Sequence, residues 1–146
     1  MIDSILRDSE LRPDLFFWWG KLSLPAVEDW ENEQAIHVPS DLKNLWSTKG
    51  GVDIFESESI LQPFGAADYD LIGCVSETFW TKGLAPEYFV FHIGVGTSVF
   101  RKSDGAIFHL ASEDMSQMSP SRDLDEWYRN KLRLDFADRY GLAPLL

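Results

Sequence analysis

The sequence predicts a single α+β domain, residues 1–146, with a central, mostly antiparallel sheet and helices packed on it. Apolar residues recur at helical spacing before residue 50 and again after residue 121. Residues 88–111 instead alternate in the way that strands do, with glycine-containing turns between them. No repeat or Gly/Ser-rich linker divides the chain, and 146 residues are enough to bury one core.

The first 35 residues predict two helices separated by an ambiguous aromatic stretch. Residues 1–10 form a short helix, whose inward side chains are Ile2, Ile5 and Leu6. Residues 11–24 can open with a helical turn at Pro13, and their aromatic run at 16–19 either packs in the core or forms an exposed interface. A second helix begins at Pro25, because proline suits the first helical turn. It carries Val27, Trp30, Gln34 and Ala35.

Residues 38–65 form the most informative stretch of the chain. Pro39 opens a helix, and Gly50 and Gly51 end it, since glycine readily takes the left-handed conformation found at helix ends. The apolar stripe of this helix is Leu42, Leu45 and Trp46. Short strands follow at residues 52–54, where Asp53 faces solvent, and at residues 60–61.

The second half of the chain predicts a helix, a three-strand meander and a final helix. Residues 68–82 are helical, ended by Gly83, and their shared face is Leu71, Ile72, Val75, Phe79 and Trp80. Strands at 88–93, 97–102 and 106–111 are joined by turns at 94–96 and 103–105. A loop at 115–120 leads to a helix over 121–140, followed by Gly141. Its ridge is Leu124, Tyr128, Leu132 and Phe136, flanked by Trp127.

Charge is the clearest functional signal in the composition. The net charge of −11 argues against direct binding of nucleic acid phosphates. Residues 52–92 contain seven acidic residues against Lys82 alone, whereas residues 119–140 are neutral. This acidity either serves solubility or forms a face for a basic partner. No apolar run approaches the length of a membrane span, and one cysteine fits a reducing compartment, so the sequence predicts a cytoplasmic protein.

No enzyme or metal signature emerges from the residues that carry chemistry. His37, His92 and His109 have no zinc-ligand spacing, although His92 and His109 would face one side of the sheet if their strands pair. Cys74 lies in a predicted helix and is expected to be buried as a small hydrophobe, with a Cys74–His92 nucleophile pair left open. The Gly94-Val95-Gly96 segment joins two strands, so it is a turn and not a dinucleotide-binding loop.

The acidic pairs Glu56/Glu58 and Asp68/Asp70 are expected to lie on solvent-facing sides. Acid–base catalysis is the weaker interpretation of such pairs, because acids two residues apart are common on an ordinary solvent-exposed face. The sequence therefore predicts a non-enzymatic protein without a cofactor.

Residues 27–110 resemble the SUKH superfamily, the Smi/Knr-type domain. The resemblance begins with the apolar-Pro-x-Asp-Leu helix start at residues 38–42, followed by the buried position Trp46 and the Gly-Gly break at 50–51. It continues through strands at 54–55 and 60–61 and through the central hairpin at 88–94 and 104–105. The stretch departs from the family pattern before Pro39, where Ile36-His37-Val38 stands, and residues 1–24 have no counterpart.

The resemblance implies a bacterial immunity protein that binds a cognate polymorphic toxin, a nuclease or deaminase for example, and blocks it without chemistry of its own. Our hypothesis is that the acidic residues of the middle section form the binding face. They are Asp53, Glu56, Glu58, Asp68 and Asp70. Two alternatives remain open at this stage: a protein–protein adaptor of the same fold, and a small enzyme whose site is assembled from distant residues.

Overall fold

The computed structural model describes residues 2–110, 115 and 117–145 and has the predicted α+β architecture. Helices α1–α6 are Asp3–Leu11, Leu24–Gln34, Ser40–Thr48, Ile72–Thr81, Leu124–Trp127 and Arg133–Tyr140, the last two joined by a π-helical segment, Tyr128–Leu132. Strands β1–β7 are Phe16–Trp18, Val52–Ile54, Glu58–Ile60, Tyr88–Ile93, Thr97–Arg101, Ile107–Leu110 and Met118–Ser121. Short 3-10 helices lie at Pro13–Leu15 and Asp68–Asp70.

The seven strands form one sheet in which every neighbouring pair is antiparallel and the strand order follows the chain, β1 to β7. One face of the sheet is buried under helices. Trp46 of α3 is completely buried and donates from Nε1 to the Leu61 carbonyl at 2.9 Å. Trp127 of α5 is also completely buried, with its ring centroid 5.0 Å from that of Phe91. The core is therefore rich in large rings, each of which buries a large apolar area.

Helix α4 covers the part of β4 that β3 leaves unpaired. Strand β3 ends at Ile60, opposite His92, so the first half of β4 has no strand on this side. The Val90 amide instead donates to Ser76 Oγ of α4 at 2.8 Å. Trp80 Nε1 of the same helix donates to the Tyr88 carbonyl, also at 2.8 Å. These side-chain contacts satisfy backbone groups that an open edge would leave to solvent or to another chain.

A buried ion pair joins the two ends of the chain. Asp8 of α1 accepts hydrogen bonds from Arg133 Nε at 2.6 Å and from the Tyr128 hydroxyl at 2.7 Å. Burial and the neighbouring Asp8 carboxylate raise the pKa of Tyr128, so this hydroxyl remains a donor. Asp125 adds a second link by accepting from the Ser4 amide at 2.9 Å. Residues 2–24, which lie outside the resemblance drawn from the sequence, are thus part of the same folded unit.

Several predicted elements differ from the structure. The strand expected at 60–61 is Glu58–Ile60, and the helix expected at 121–140 begins only at Leu124, because Ser121 belongs to β7, and includes the π-helical segment. The helix expected at 68–82 begins only at Ile72, because Leu71 is extended and forms an isolated parallel bridge with Gln62. The Gln62 carbonyl accepts from the Ile72 amide at 3.0 Å, which fixes this break. The loop expected at 115–120 contains strand β7, which pairs with β6 despite Pro120, a residue tolerated in an edge strand. Residues 1, 111 and 116, which belong to predicted elements, lie outside the described residues.

The structure also settles the burial of the aromatic run at 16–19 and corrects the expected burial of Cys74. Phe16 is buried, but Phe17 is 72% exposed, because neighbouring residues of β1 point to opposite faces of the sheet. The run is therefore divided between core and surface. Cys74 is exposed and not buried, since the inward face of α4 is formed by Ile72 and Ser76.

Candidate functional site

Two of the predicted acidic residues, Asp53 and Asp70, lie close enough to interact. Asp53 is the exposed residue of β2 and accepts hydrogen bonds from Ser59 Oγ at 2.7 Å and Trp19 Nε1 at 3.2 Å. The pKa of Asp70 is raised above its ordinary value, first by partial burial and then by the negative charge of Asp53. A nearby cationic group would relieve this repulsion, so the pair favours a basic partner.

Asp68, Tyr69 and Asp70 form a single 3-10 turn that we call the acidic turn. Tyr69 lies between the two acids and is 73% exposed. Beside it is a shallow groove of about 320 Å³, to which both Asp68 and Tyr69 contribute. The rest of the groove is lined by Cys74, Val75, Thr78, Phe79 and Ile93. An exposed tyrosine next to an apolar groove is typical of protein interfaces, where tyrosine is enriched among the residues that dominate binding.

Glu56 and Glu58 do not share a solvent-facing side, so that prediction is wrong. Glu56 is exposed in the turn between β2 and β3, where its φ angle is +68°. Glu58 is only 2% exposed. Its strand neighbour Ser59 is paired with Asp53 on the outer face, which turns Glu58 towards the buried face. Glu58 therefore cannot belong to an acidic binding surface.

Glu58 instead begins a chain of hydrogen bonds on the buried face that crosses four strands of the sheet, β3 to β6. Its Oε1 is 3.0 Å from His92 Nε2, and His92 Nδ1 is 2.9 Å from Ser98 Oγ. Ser98 Oγ is also 3.0 Å from His109 Nδ1 and accepts from Trp127 Nε1 at 2.8 Å. We call Glu58, His92, Ser98, His109 and Trp127 the buried polar network. It confirms that His92 and His109 face the same side of the sheet.

The acceptors and donors of this network fit one another in a definite order. The Glu58 carboxylate can only accept, so His92 donates to it from Nε2. If the His92 ring is neutral, its Nδ1 accepts from the Ser98 hydroxyl, and Ser98 then accepts from His109 Nδ1. In this arrangement both oxygens of Glu58, both ring nitrogens of His92 and the Ser98 hydroxyl have partners. Burial alone raises the pKa of Glu58, but the hydrogen bonds from His92, Ser57 and the Val95 amide outweigh burial and lower it.

The turn between β4 and β5 is shaped around this network. A Cβ atom at Gly94 would overlap the carboxylate of Glu58, and one at Gly96 would overlap the imidazole of His109. The Val95 amide between them donates to Glu58 Oε2 at 3.0 Å. A side chain at either position would therefore collide with the network, so both positions require glycine. The sequence pattern predicted a turn here but not this steric requirement.

The buried polar network resembles a Ser-His-Glu triad but does not present a nucleophile. Ser98 is fully buried and already accepts a hydrogen bond from Trp127 Nε1, so no substrate carbonyl can approach its Oγ. Cys74 is no better placed, because it lies on the exposed side of α4 while His92 is 1% exposed. Within the described part of the chain, no three His, Cys, Asp or Glu side chains are grouped to hold a metal ion.

Tyr69 was not predicted from the sequence as a site residue, although a large aromatic side chain between two acids was a signal for it. None of the helices in the described residues has the length and apolarity that crossing a bilayer requires. The chain matches no protein-family model, and no curated protein sequence is significantly similar to it.

Proposed function

We propose that the protein is a non-enzymatic binding protein of the bacterial cytoplasm that neutralises a cognate toxin by covering a basic surface of it. The binding face consists of the acidic turn together with Asp53. The observation that supports this proposal most is Tyr69, 73% exposed between Asp68 and Asp70 and beside an apolar groove. Such a face combines an aromatic anchor with charges that steer a basic partner.

The electrostatics of the molecule support the same conclusion. Residues 52–92 contain seven acids and one base, and Asp53 and Asp70 repel each other in the absence of a partner. A toxin that handles nucleic acid carries a basic groove, and an acidic surface can occupy such a groove in competition with phosphates. The resemblance of residues 27–110 to the SUKH superfamily adds the expectation that the partner is a toxin.

The test is co-expression with the product of the neighbouring gene, scoring both growth and co-purification. We expect the wild-type protein to restore growth and to co-purify with the toxin. The variant Asp53→Lys/Asp68→Lys/Asp70→Lys should lose protection, and its association should slow by about tenfold or more at low salt. Tyr69→Ala should mainly accelerate dissociation, because an anchor residue acts after the encounter.

A matched control carries the same change of charge on another surface. Glu28, Asp29 and Glu33 are exposed on α2, and their replacement by lysine alters the net charge equally. This control should bind and protect like the wild type. Equal binding kinetics for the two triple variants would contradict the proposed face, whereas binding without protection of growth would favour an adaptor.

A further inference from the structure

A second cavity, which no residue of the acidic turn lines, lies between α2, α4, strand β4 and Lys102, the residue that follows β5. It has a volume of about 360 Å³, which falls in the range of small-molecule sites. Its aromatic walls are Trp30, Trp80 and Phe89, and its polar groups include Lys102, Gln34 and Glu77. We call it the Lys102 cavity.

The aromatic walls of the Lys102 cavity are held in fixed positions. The Trp80 indole is fixed by its hydrogen bond from Nε1 to the Tyr88 carbonyl at 2.8 Å. The ring centroid of Phe89 is 5.5 Å from that of Trp80 and 5.9 Å from that of Trp30. Phe89 itself is 3% exposed. A ligand would therefore meet preformed walls and would not need to order them.

Lys102 supplies the single positive charge of this cavity. Its Nζ lies 4.3 Å from the Trp80 ring centroid and 4.4 Å from the Phe89 ring centroid. Its backbone is held on both sides, since its amide donates to the Glu87 carbonyl and its carbonyl accepts from the His37 amide, each at 2.8 Å. Among the described residues, Lys102 forms no ion pair and no side-chain hydrogen bond. Its ammonium donors are therefore available to a ligand.

We propose that the Lys102 cavity binds a small aromatic monocarboxylate, with the carboxylate on Lys102 Nζ and the ring between Trp30 and Trp80. Flat rings favour a planar apolar body, since aromatic groups pack with offset or edge-on geometry. The cavity contains one cation, Lys102, beside Glu77, and the net charge of the protein is −11. These charges favour a ligand with one negative charge over a phosphate ester with two. The partly buried ammonium strengthens the ion pair, because water screens it less there. Burial also lowers the pKa of Lys102, in keeping with a poorly solvated cation.

The proposal is tested with para-fluorophenylacetate and its neutral amide, para-fluorophenylacetamide, by fluorine NMR titration. The two probes have the same shape and differ in charge. The wild-type protein should bind the acid about tenfold more tightly than the amide, since the amide carbonyl can still accept from the ammonium but carries no charge for the ion pair. Lys102→Met keeps the apolar stem and should remove this preference. Lys21→Met, at an exposed position outside the cavity, should leave it unchanged.

A second variant blocks the cavity without touching its charge. Gly73 lines the cavity, and a Cβ atom added there meets nothing within 4 Å. Gly73→Leu should therefore fold and lose binding of both probes.

The sole cysteine, Cys74, also lines the cavity, so the acid should slow its alkylation by iodoacetamide in the wild type but not in Lys102→Met. Equal affinity for acid and amide, no binding of either, or unchanged acid binding by either cavity variant would overturn the proposal.

Discussion

Replacing Glu58 tests the buried polar network most directly. Glu58 is 2% exposed and accepts from His92 Nε2, Ser57 Oγ and the Val95 amide. Glu58→Ala leaves the buried His92 donor and the partly buried Val95 amide without this acceptor. A hydrogen bond to a charged group contributes about 1.5–3 kcal/mol, and an unsatisfied buried donor costs about 1–3 kcal/mol. We therefore expect Glu58→Ala to lower the free energy of unfolding by about 3–5 kcal/mol at neutral pH.

Glu58→Gln should cost much less, because the network can reverse its hydrogen bonds. The glutamine oxygen can still accept from Ser57 and Val95, while its amide nitrogen donates to His92 Nε2. His92 then donates from Nδ1 to Ser98, and Ser98 donates to His109 Nδ1, so the existing partners of Glu58 and the other members of the network stay paired. The charge assistance is lost and the second N–H of the glutamine gains no acceptor, which predicts a decrease of about 1–2 kcal/mol in the free energy of unfolding.

The pH dependence gives an independent check on the same residue. The folded-state pKa of Glu58 lies below its ordinary value of 4.5. Its contribution to stability is therefore fully present above the unfolded-state pKa and is lost as the pH falls through the folded-state pKa. The difference in stability between wild type and Glu58→Gln should shrink over this acidic range.

Urea denaturation, followed by tryptophan fluorescence and circular dichroism at neutral and acidic pH, measures these differences. Glu56→Gln is the matched control, since Glu56 is exposed two residues away and should change stability by less than about 0.5 kcal/mol. The reasoning is refuted if Glu58→Ala is no less stable than Glu58→Gln, or if the gap between Glu58→Gln and wild type is independent of pH.

Three further predictions concern other parts of the structure. The pKa of His109 is lowered by burial and by the charges of His92 and Lys131, which outweigh the opposing charges of Asp135 and Glu58. The NMR titration of His109 should therefore have a midpoint below 6.5, and Lys131→Gln should raise that midpoint. Because folding favours neutral His109, its contribution to stability is fully present above its unfolded-state pKa. This contribution is lost as the pH falls through its folded-state pKa. Asp8→Asn breaks the buried pair with Arg133 and should cost about 3–5 kcal/mol in urea denaturation, whereas Asp8→Leu/Arg133→Met should recover part of this loss. Gly96→Ala should lower the melting temperature because its Cβ overlaps His109, while Gly73→Ala, which meets nothing, should not; equal melting temperatures would contradict the packing described.

The strands with strong alternation could be predicted closely from the sequence. Strands β2 and β4 have the expected bounds, since Val52 and Ile54 flank Asp53, and β4 is a run of aromatic and β-branched residues. Strand β7 was missed because Met118–Ser121 includes proline and two serines, which have low strand propensity. It is held by pairing with β6, a tertiary contact that local pattern does not reveal.

The site was predicted less well, because its geometry depends on residues far apart in the chain. The burial of Glu58 follows from the pairing of Ser59 with Asp53 and from the presence of His92, 34 residues away. Neither fact can be read from the two acids alone. The exposure of Asp53 was predictable from alternation, and so was the common side of His92 and His109, whose ring centroids are 6.5 Å apart.

The contacts between the chain ends have a consequence for the order of folding. Hairpins β4–β5 and β5–β6 close over a few residues, whereas Ser4–Asp125 and Asp8–Arg133 join positions 121 and 125 residues apart. Closing a long loop costs more entropy, so such contacts form after the local ones. The meander should therefore gain protection from hydrogen exchange first during refolding, and α1 with the C-terminal helices last. The same order in reverse makes the two ends the first part of the native protein to open.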